Sequence, residues 1–461
     1  MYKTRARSFP VLMITLAFFV GLGWFVFNLA THGAEWVSLP QNGHLSENGA
    51  LEHAGSIIDR NGVVLAHSAG GKRIYHEDPA VRTACVHVVG DNTVNITTAV
   101  QNLYRSELTG YHFAFGQGLP NEWKEGASIR MTLDSNMQTA ACRALGDRKG
   151  AAVVYNYRTG EILCLASTPG FDPENKPEDI ETNEAYDGAY LNRAISSAYP
   201  PGSTFKLVTA AEALESIPGA EKITYHCEAE EDIGGAPVTC YAAFGDVDFK
   251  HALMYSCNLY FAHLAVDLGG DKMTARAQRC GFNACRSFDR ITTAKSVYDV
   301  SQASVNDLAW SGVGQYTVLE TPLNMAIRAA AIADGGTPMM PYLVEEIRTA
   351  DGSVQKAQHT RGSSMMSPAT ADTLKEMMDY TVANFYDKSV FSDVLDVCAK
   401  TGTAEVGEAG EPHGWITGFC TSEEAPFAFA VIVEHGESGY GSAVPVASAI
   451  LKAWEEEQKT N

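Results

Sequence analysis

The sequence predicts an α/β protein: one discontinuous domain built on an antiparallel sheet, preceded by a β-rich segment and a single membrane-spanning helix. Three observations predict it. An uncharged run extends from Val11 to Ala30. Strand-like apolar runs fall in two groups, AAVVYNY and EILCLAST at 151–157 and 161–168, then VCAKTGTAEV, WITGFCTS and FAFAVIVE from Val397 onward. Between the groups, from about 190 to 335, apolar residues recur at helical spacing.

The run Val11–Ala30 is twenty residues long, and at about 1.5 Å per residue such a helix crosses a hydrocarbon core of roughly 30 Å. It exceeds the roughly 7 to 15 apolar residues of a cleaved signal peptide, and no A-x-A site follows, so a retained anchor is expected. Phe18, Phe19, Trp24, Phe25 and Phe27 leave no polar face, which argues against a buried core helix. Lys3, Arg5 and Arg7 place the N-terminus in the cytoplasm. Residues 1–8 would then form a cytoplasmic tail, 9–30 the anchor, and the rest would lie outside.

Residues 31–133 read as a pedestal of short strands and turns. Its clearest element is GSIIDRNGVVLA, Gly55 to Ala66, two apolar runs joined at Asn61-Gly62, a dipeptide that tolerates the positive φ of a tight hairpin. The main domain, 134–461, opens at Asp134, an N-cap for a helix with Met137, Ala141, Ala144 and Leu145 on one face. The strand pair at 151–168 turns at Arg158-Thr159-Gly160. In the helical region, 203–217 carries Leu207, Ala210, Ala211, Leu214 and Ile217. A second helix is expected at about 256–268 and a third at Pro322–Asp334, stopped by Gly335. A helix at about 445–458 closes the chain. Two strands before the insertion and three after it make five.

Composition narrows the function. The 461 residues suggest about three domains, or two and an anchor. With 45% hydrophobic and 19% charged residues the chain can bury a core, which excludes disorder, collagen and coiled coil. Lys and Arg number 34 against 55 Asp and Glu, a net charge of −21, and no four basic residues are consecutive, so nucleic acid is not an expected partner. All ten cysteines follow the anchor, too few for a disulfide scaffold. Cys227 and Cys240 flank the Gly234-Gly235 turn and either pair or remain free buried thiols. No CxxC, HExxH or EF-hand spacing occurs, and neither a metal nor a cofactor is expected.

The chemistry centres on PPGSTFK, Pro200 to Lys206. Ser203 and Lys206 are three apart at a helix start, so both side chains share a face and the amine can take the hydroxyl proton. The helix N-terminus adds N–H groups suited to an oxyanion. Spacing alone is weak evidence, because Ser353 and Lys356 repeat it; that copy follows the turn Asp351-Gly352 and should sit on a hairpin, unaligned. Two further motifs supply the missing support. Ser256-Cys257-Asn258 opens the second helix, and Lys400-Thr401-Gly402-Thr403 lies on a strand and is the only K-T-G. S-x-N also occurs at Ser46 and Ser304, so the middle motif informs through its position. S-x-x-K, S-x-N and K-T-G in that order mark the Ser203 and Lys206 pair as catalytic.

At these residues the chain resembles the penicillin-binding transpeptidases, specifically the monofunctional class B enzymes. The resemblance runs from about Gly55 to Glu434 and includes GSIIDRNGVVLA, GAAVVYNYRTGEILCLASTPGFDPE, PPGSTFK, YSCN, TPLNMAIRAAAIADGG, and KTGTAE followed by HGWITGF. It implies the fold shared with serine β-lactamases: a five-stranded antiparallel sheet flanked by helices, with an all-helical subdomain. It implies a D,D-transpeptidase that attacks a peptidoglycan stem peptide, releases D-alanine and joins the acyl group to an amine of a neighbouring strand. Ser203 would be the nucleophile and Lys206 its base. Ser256 would relay the proton and Asn258 would hold Lys206 and the substrate amide. Lys400, Thr401 and Thr403 would bind the terminal carboxylate or its β-lactam equivalent, Gly402 would permit close approach, and the N–H groups of Ser203 and Thr403 would form the oxyanion hole. Keeping Lys206 neutral at pH 7 needs a pKa depression of about three units, roughly 4 kcal/mol, for which burial and the Lys400 cation are the expected causes.

Departures are few. Ala54 stands where class B pedestals commonly carry Arg before the glycine, and the pedestal is short. Cys257, His413 and Trp415 are expected to be structural. The rivals are a D,D-carboxypeptidase, a β-lactamase-like hydrolase, for which no deacylating glutamate is evident, and a non-catalytic β-lactam-binding scaffold or sensor. About a hundred residues lie between Ala30 and Asp134, the lower end of ordinary domain size, and their turn-rich content does not look like a mostly helical glycosyltransferase. The resemblance therefore implies that a polytopic membrane glycosyltransferase supplies the nascent glycan strands.

Overall fold

The computed structural model describes residues 2–37, 51, 54–110, 126–386, 388–392, 394–407 and 410–460. Parts of the expected pedestal, 38–50 with its Ser46, 52–53 and 111–125, lie outside the described residues. The N-terminal helix runs Tyr2–Val37. Within it, Ser8–Leu29, 22 residues, is long and apolar enough to cross a membrane. Phe18, Phe19, Trp24 and Phe27 are exposed along it, as a lipid-facing helix requires.

The pedestal hairpin forms as its sequence dictates: Ile57–Ile58 pairs antiparallel with Val64–Ala69, and Gly62 has φ +86°. Lys72–Tyr75 extends it. The segment is less β-rich than its turns suggested, because helices Pro79–Val89, Val100–Leu103 and Arg105–Leu108 pack beside it. Asp78 caps the first of these and Pro79 occupies its first turn, a helix-start signal. The six-stranded pedestal sheet also takes Val344–Arg348 and Val354–Lys356 from the far side of the sequence. Those two strands are the hairpin turned by Asp351-Gly352, with Gly352 at φ +85°, so Ser353 and Lys356 sit there far from any helix.

The main sheet has five antiparallel strands in the order Val397–Val406, Gly410–Cys420, Phe427–Val433, Gly150–Asn156, Ile162–Thr168. Both faces are covered, which is why Phe427–Val433 and Ile162–Thr168 are buried at every residue and read as continuous apolar runs. Alternate residues serve two cores. Ala151, Val153, Tyr155, Ala428, Ala430 and Ile432 face the helical region. Ala152, Val154, Phe429, Val431 and Val433 face the helices Ser135–Leu145 and Val444–Thr460. Asp134 caps the former, accepting from the N–H groups of Asn136 and Met137.

The helical region holds Lys206–Ser216, Asn258–Leu268, Gly270–Arg279, Val305–Ser311 and Pro322–Ala333. It also carries three two-stranded ribbons, Thr224–Cys227 with Gly245–Asp248, Glu230–Asp232 with Pro237–Thr239, and Ser287–Phe288 with Ile291–Thr292. The second ribbon turns at Gly234-Gly235, both at positive φ. The helix Pro368–Asn384, capped by Ser367, packs against the Val397–Val406 strand and was not anticipated from the sequence.

Candidate active site

The three motifs converge from three elements. Gly202–Phe205 is a 3₁₀ turn and the α-helix starts only at Lys206, so the helix begins later than expected. The turn is tightened by Gly202 at φ +52°, where a Cβ would strike the Thr403 carbonyl. Gly202 N–H donates to Gly314 O at 3.0 Å. Two remote side chains hold the turn: Trp415 Nε1 donates to Pro200 O at 2.8 Å, and Arg328 Nη1 donates to Thr204 O at 3.0 Å. Arg328 is itself fixed by a fully buried ion pair with Glu320 at 2.8 Å. The residues Tyr199, His413 and Trp415 stack edge to face behind the turn, in structural positions as expected.

Ser256, at φ +57°, stands just before the helix Asn258–Leu268, whose N-cap is Cys257. Lys206 Nζ meets four oxygens: Ser256 O at 2.6 Å, Asn258 Oδ1 at 2.7 Å, Ser203 Oγ at 3.1 Å and Ser256 Oγ at 3.1 Å. The first two can only accept. A neutral amine has two N–H donors and one lone pair, so both donors go to Ser256 O and Asn258 Oδ1 and the lone pair is left facing the two hydroxyls. Burial lowers the Lys206 pKa to about 7, against the opposing effect of the nearby Cys257 and Cys240 thiols. Lys400 Nζ donates to Ser256 Oγ at 3.0 Å and to Thr401 O at 2.8 Å. Burial first, and the neighbouring Lys206 second, hold Lys400 well below an ordinary lysine. The repulsion between the two amines acts on both and disfavours their being charged together.

Lys400, Thr401, Gly402 and Thr403 lie on Val397–Val406, and a Cβ on Gly402 would come within 2.9 Å of Pro201 O and Thr204 Cγ2. Absence of that Cβ lets the strand lie against the serine turn. Ser203, half-buried, opens with Ser256, Asn258, Lys400, Thr401, Gly402 and Thr403 onto one cleft of about 560 Å³. Every site residue named from the sequence lines this cleft except Lys206, which is buried beneath Ser203. Ser353 and Lys356 do not approach it.

Sequence reasoning missed Tyr386. Its hydroxyl shares a hydrogen bond of 2.6 Å with Thr401 Oγ1 and accepts the Thr401 N–H at 3.2 Å. It missed Arg328 and Glu320 as well, although an arginine inside the apolar run TPLNMAIRAAAIA, with Glu320 immediately before it, was a signal to be read. Cys227 and Cys240 are not joined by a disulfide, and no disulfide occurs among the described residues. Cys240 accepts the Asn258 N–H at 3.1 Å and faces Cys257 across 3.8 Å. The hydrogen bond from Cys257, with backbone N–H donors, holds the Cys240 thiol below the ordinary range.

Residues 150–452 match the model of the penicillin binding protein transpeptidase domain. The peptidoglycan D,D-transpeptidase PbpA of Mycolicibacterium smegmatis is 31% identical over 363 residues, 71% of this chain and 72% of the relative. The D,D-transpeptidase MrdA of Acinetobacter baumannii is 25% identical, over 73% of this chain and 55% of the relative. Among solved structures, penicillin-binding protein A from M. tuberculosis as a ceftriaxone acyl-enzyme complex superposes with TM-score 0.78 at 27% identity, covering 88% of this chain and 98% of that one. The D,D-transpeptidase domain from Eggerthella lenta gives TM-score 0.75 at 31% identity, covering 89% and 100%.

Proposed function

The chain belongs to the penicillin-binding protein transpeptidase family, and on that premise we propose that it cross-links peptidoglycan stem peptides through an acyl-enzyme on Ser203 and is acylated by β-lactams at the same hydroxyl. The observation that carries the assignment of roles is the lone pair of Lys206, left facing Ser203 Oγ once both N–H donors are engaged. Ser203 Oγ attacks the penultimate D-alanine carbonyl while its proton moves to Lys206. The N–H groups of Ser203 and Thr403 receive the oxyanion, a contribution of about 10²–10³ in rate per donor in comparable sites. The peptide bond to the terminal D-alanine breaks, and Ser256 passes the proton from Lys206 to the leaving amine. Asn258 keeps Lys206 oriented and holds the substrate amide, and Lys400 with Thr401, Gly402 and Thr403 holds the terminal carboxylate. An amine from a second strand then attacks the ester and frees Ser203.

The apolar span anchors the chain in the membrane with the N-terminus in the cytoplasm, residues 31–133 as pedestal and 134–461 as the catalytic domain outside. Nascent glycan strands come from a polytopic membrane glycosyltransferase docked beside the anchor. The test is covalent labelling of the full-length protein by a fluorescent penicillin. Ser203→Ala abolishes labelling and Ser353→Ala leaves it intact; labelling that survives Ser203→Ala overturns the assignment. Cross-linked product that appears with lipid II only when such a polymerase is co-reconstituted supports the partner, and glycan polymerised by this protein alone overturns it.

A further inference from the structure

Three cysteines converge beneath the Ser256-Cys257-Asn258 turn. Cys227 ends the strand Thr224–Cys227, Cys240 follows the strand Pro237–Thr239, and Cys257 caps the helix Asn258–Leu268. Their sulfur atoms all lie within 4.8 Å of one another, with Cys240 and Cys257 at 3.8 Å. Thiolates about 2.3 Å from a tetrahedral zinc ion stand about 3.8 Å apart. One edge of the triangle therefore already has the length an ion would impose, and the others need to contract by about 1 Å or less. Backbone donors surround the sulfurs: Asn258 N–H at 3.1 Å and Leu259 N–H at 3.4 Å reach Cys240, and Tyr260 N–H at 3.5 Å reaches Cys257. Such donors are the outer partners that orient ligands and offset the negative charge of bound thiolates. Cys227 and Cys257 are buried, whereas Cys240 lines the cleft and opens one side of the triangle to solvent.

We propose that Cys227, Cys240 and Cys257 bind one thiophilic ion of the zinc type, with a water from the cleft in the fourth position. Each thiol that binds releases its proton to solvent, and no electron moves. Three soft sulfur ligands select such an ion over magnesium or calcium. The ion joins two ribbons to the start of the helix that carries Asn258, so it positions Ser256 and Asn258 without touching substrate. That consequence rests on the transpeptidase reading, whereas the binding itself does not.

The experiment uses the full-length protein in detergent, purified with a phosphine reductant, mixed with zinc chloride and desalted before elemental analysis. One zinc per chain is expected to remain, and a cobalt-loaded sample should show the intense visible bands of tetrahedral thiolate coordination. Cys227→Ser should weaken binding at least about tenfold, while Cys285→Ser, at an exposed site, should not. In the unmutated protein zinc should protect Cys240, the thiol that opens onto the cleft, from iodoacetamide, read by peptide mass, which keeps the test independent of how the variant folds. No retained zinc with Cys240 equally reactive with and without zinc, or a disulfide between any two of the three under the same reductant, overturns the site. Labelling by penicillin with no zinc bound would overturn this inference alone and leave the transpeptidase reading standing.

Discussion

The surroundings of Lys206 fix a pH dependence that can be worked out in advance. Burial takes its pKa from 10.5 to about 7, a penalty on the ammonium form of about 5 kcal/mol. The base works only when neutral, so acylation must quicken as pH rises. With a pKa of about 7 the neutral fraction is about 0.1 at about pH 6 and about 0.9 at about pH 8. The second-order rate constant for acylation by penicillin should therefore rise about tenfold across that interval and then level off. A lysine left at its ordinary value would give about a hundredfold rise over the same interval, with no plateau before about pH 10. Stopped-flow acylation at constant ionic strength, from about pH 5.5 to about pH 9.5, distinguishes the two. Unit slope sustained through about pH 9 would refute a neutral Lys206 at physiological pH, and a flat profile would refute Lys206 as the base.

Three other outcomes follow from particular contacts. Gly402→Ala places a Cβ within 2.9 Å of Pro201 O and Thr204 Cγ2, which should cost about 1–3 kcal/mol of stability by overpacking and slow penicillin labelling by at least about tenfold as the strand moves off the serine turn. Arg328→Met leaves Glu320 buried without its cation; urea unfolding should show a loss of about 3–5 kcal/mol, and Arg328→Met combined with Glu320→Gln should recover part of it. The penicilloyl adduct on Ser203 should persist for many minutes in intact-protein mass spectra after a chase, because each 1.36 kcal/mol kept on the deacylation barrier slows release about tenfold. Rapid return to the free mass with turnover of the antibiotic would point to a hydrolase.

The sequence by itself determined the elements whose signals are local. Asp134 announces a helix because its carboxylate satisfies N–H groups two and three residues on. Gly62 and Gly352 announce hairpins because both adopt positive φ, and the second of these correctly set Ser353 and Lys356 aside. The motifs were legible because Ser203 and Lys206 are neighbours along the chain and because the order of the other two restricts chance. Tertiary structure alone decided what lies between distant segments. The two acceptors that engage the Lys206 donors come from 50 and 52 residues away, and no periodicity reports such a meeting. The same holds for the pedestal sheet, which takes two strands from beyond residue 340, and for Tyr386 against Thr401. The thiol triangle was invisible for the same reason: spacing rules describe ligands held by one tight turn, whereas Cys227, Cys240 and Cys257 are brought together by the packing of two ribbons on a helix start.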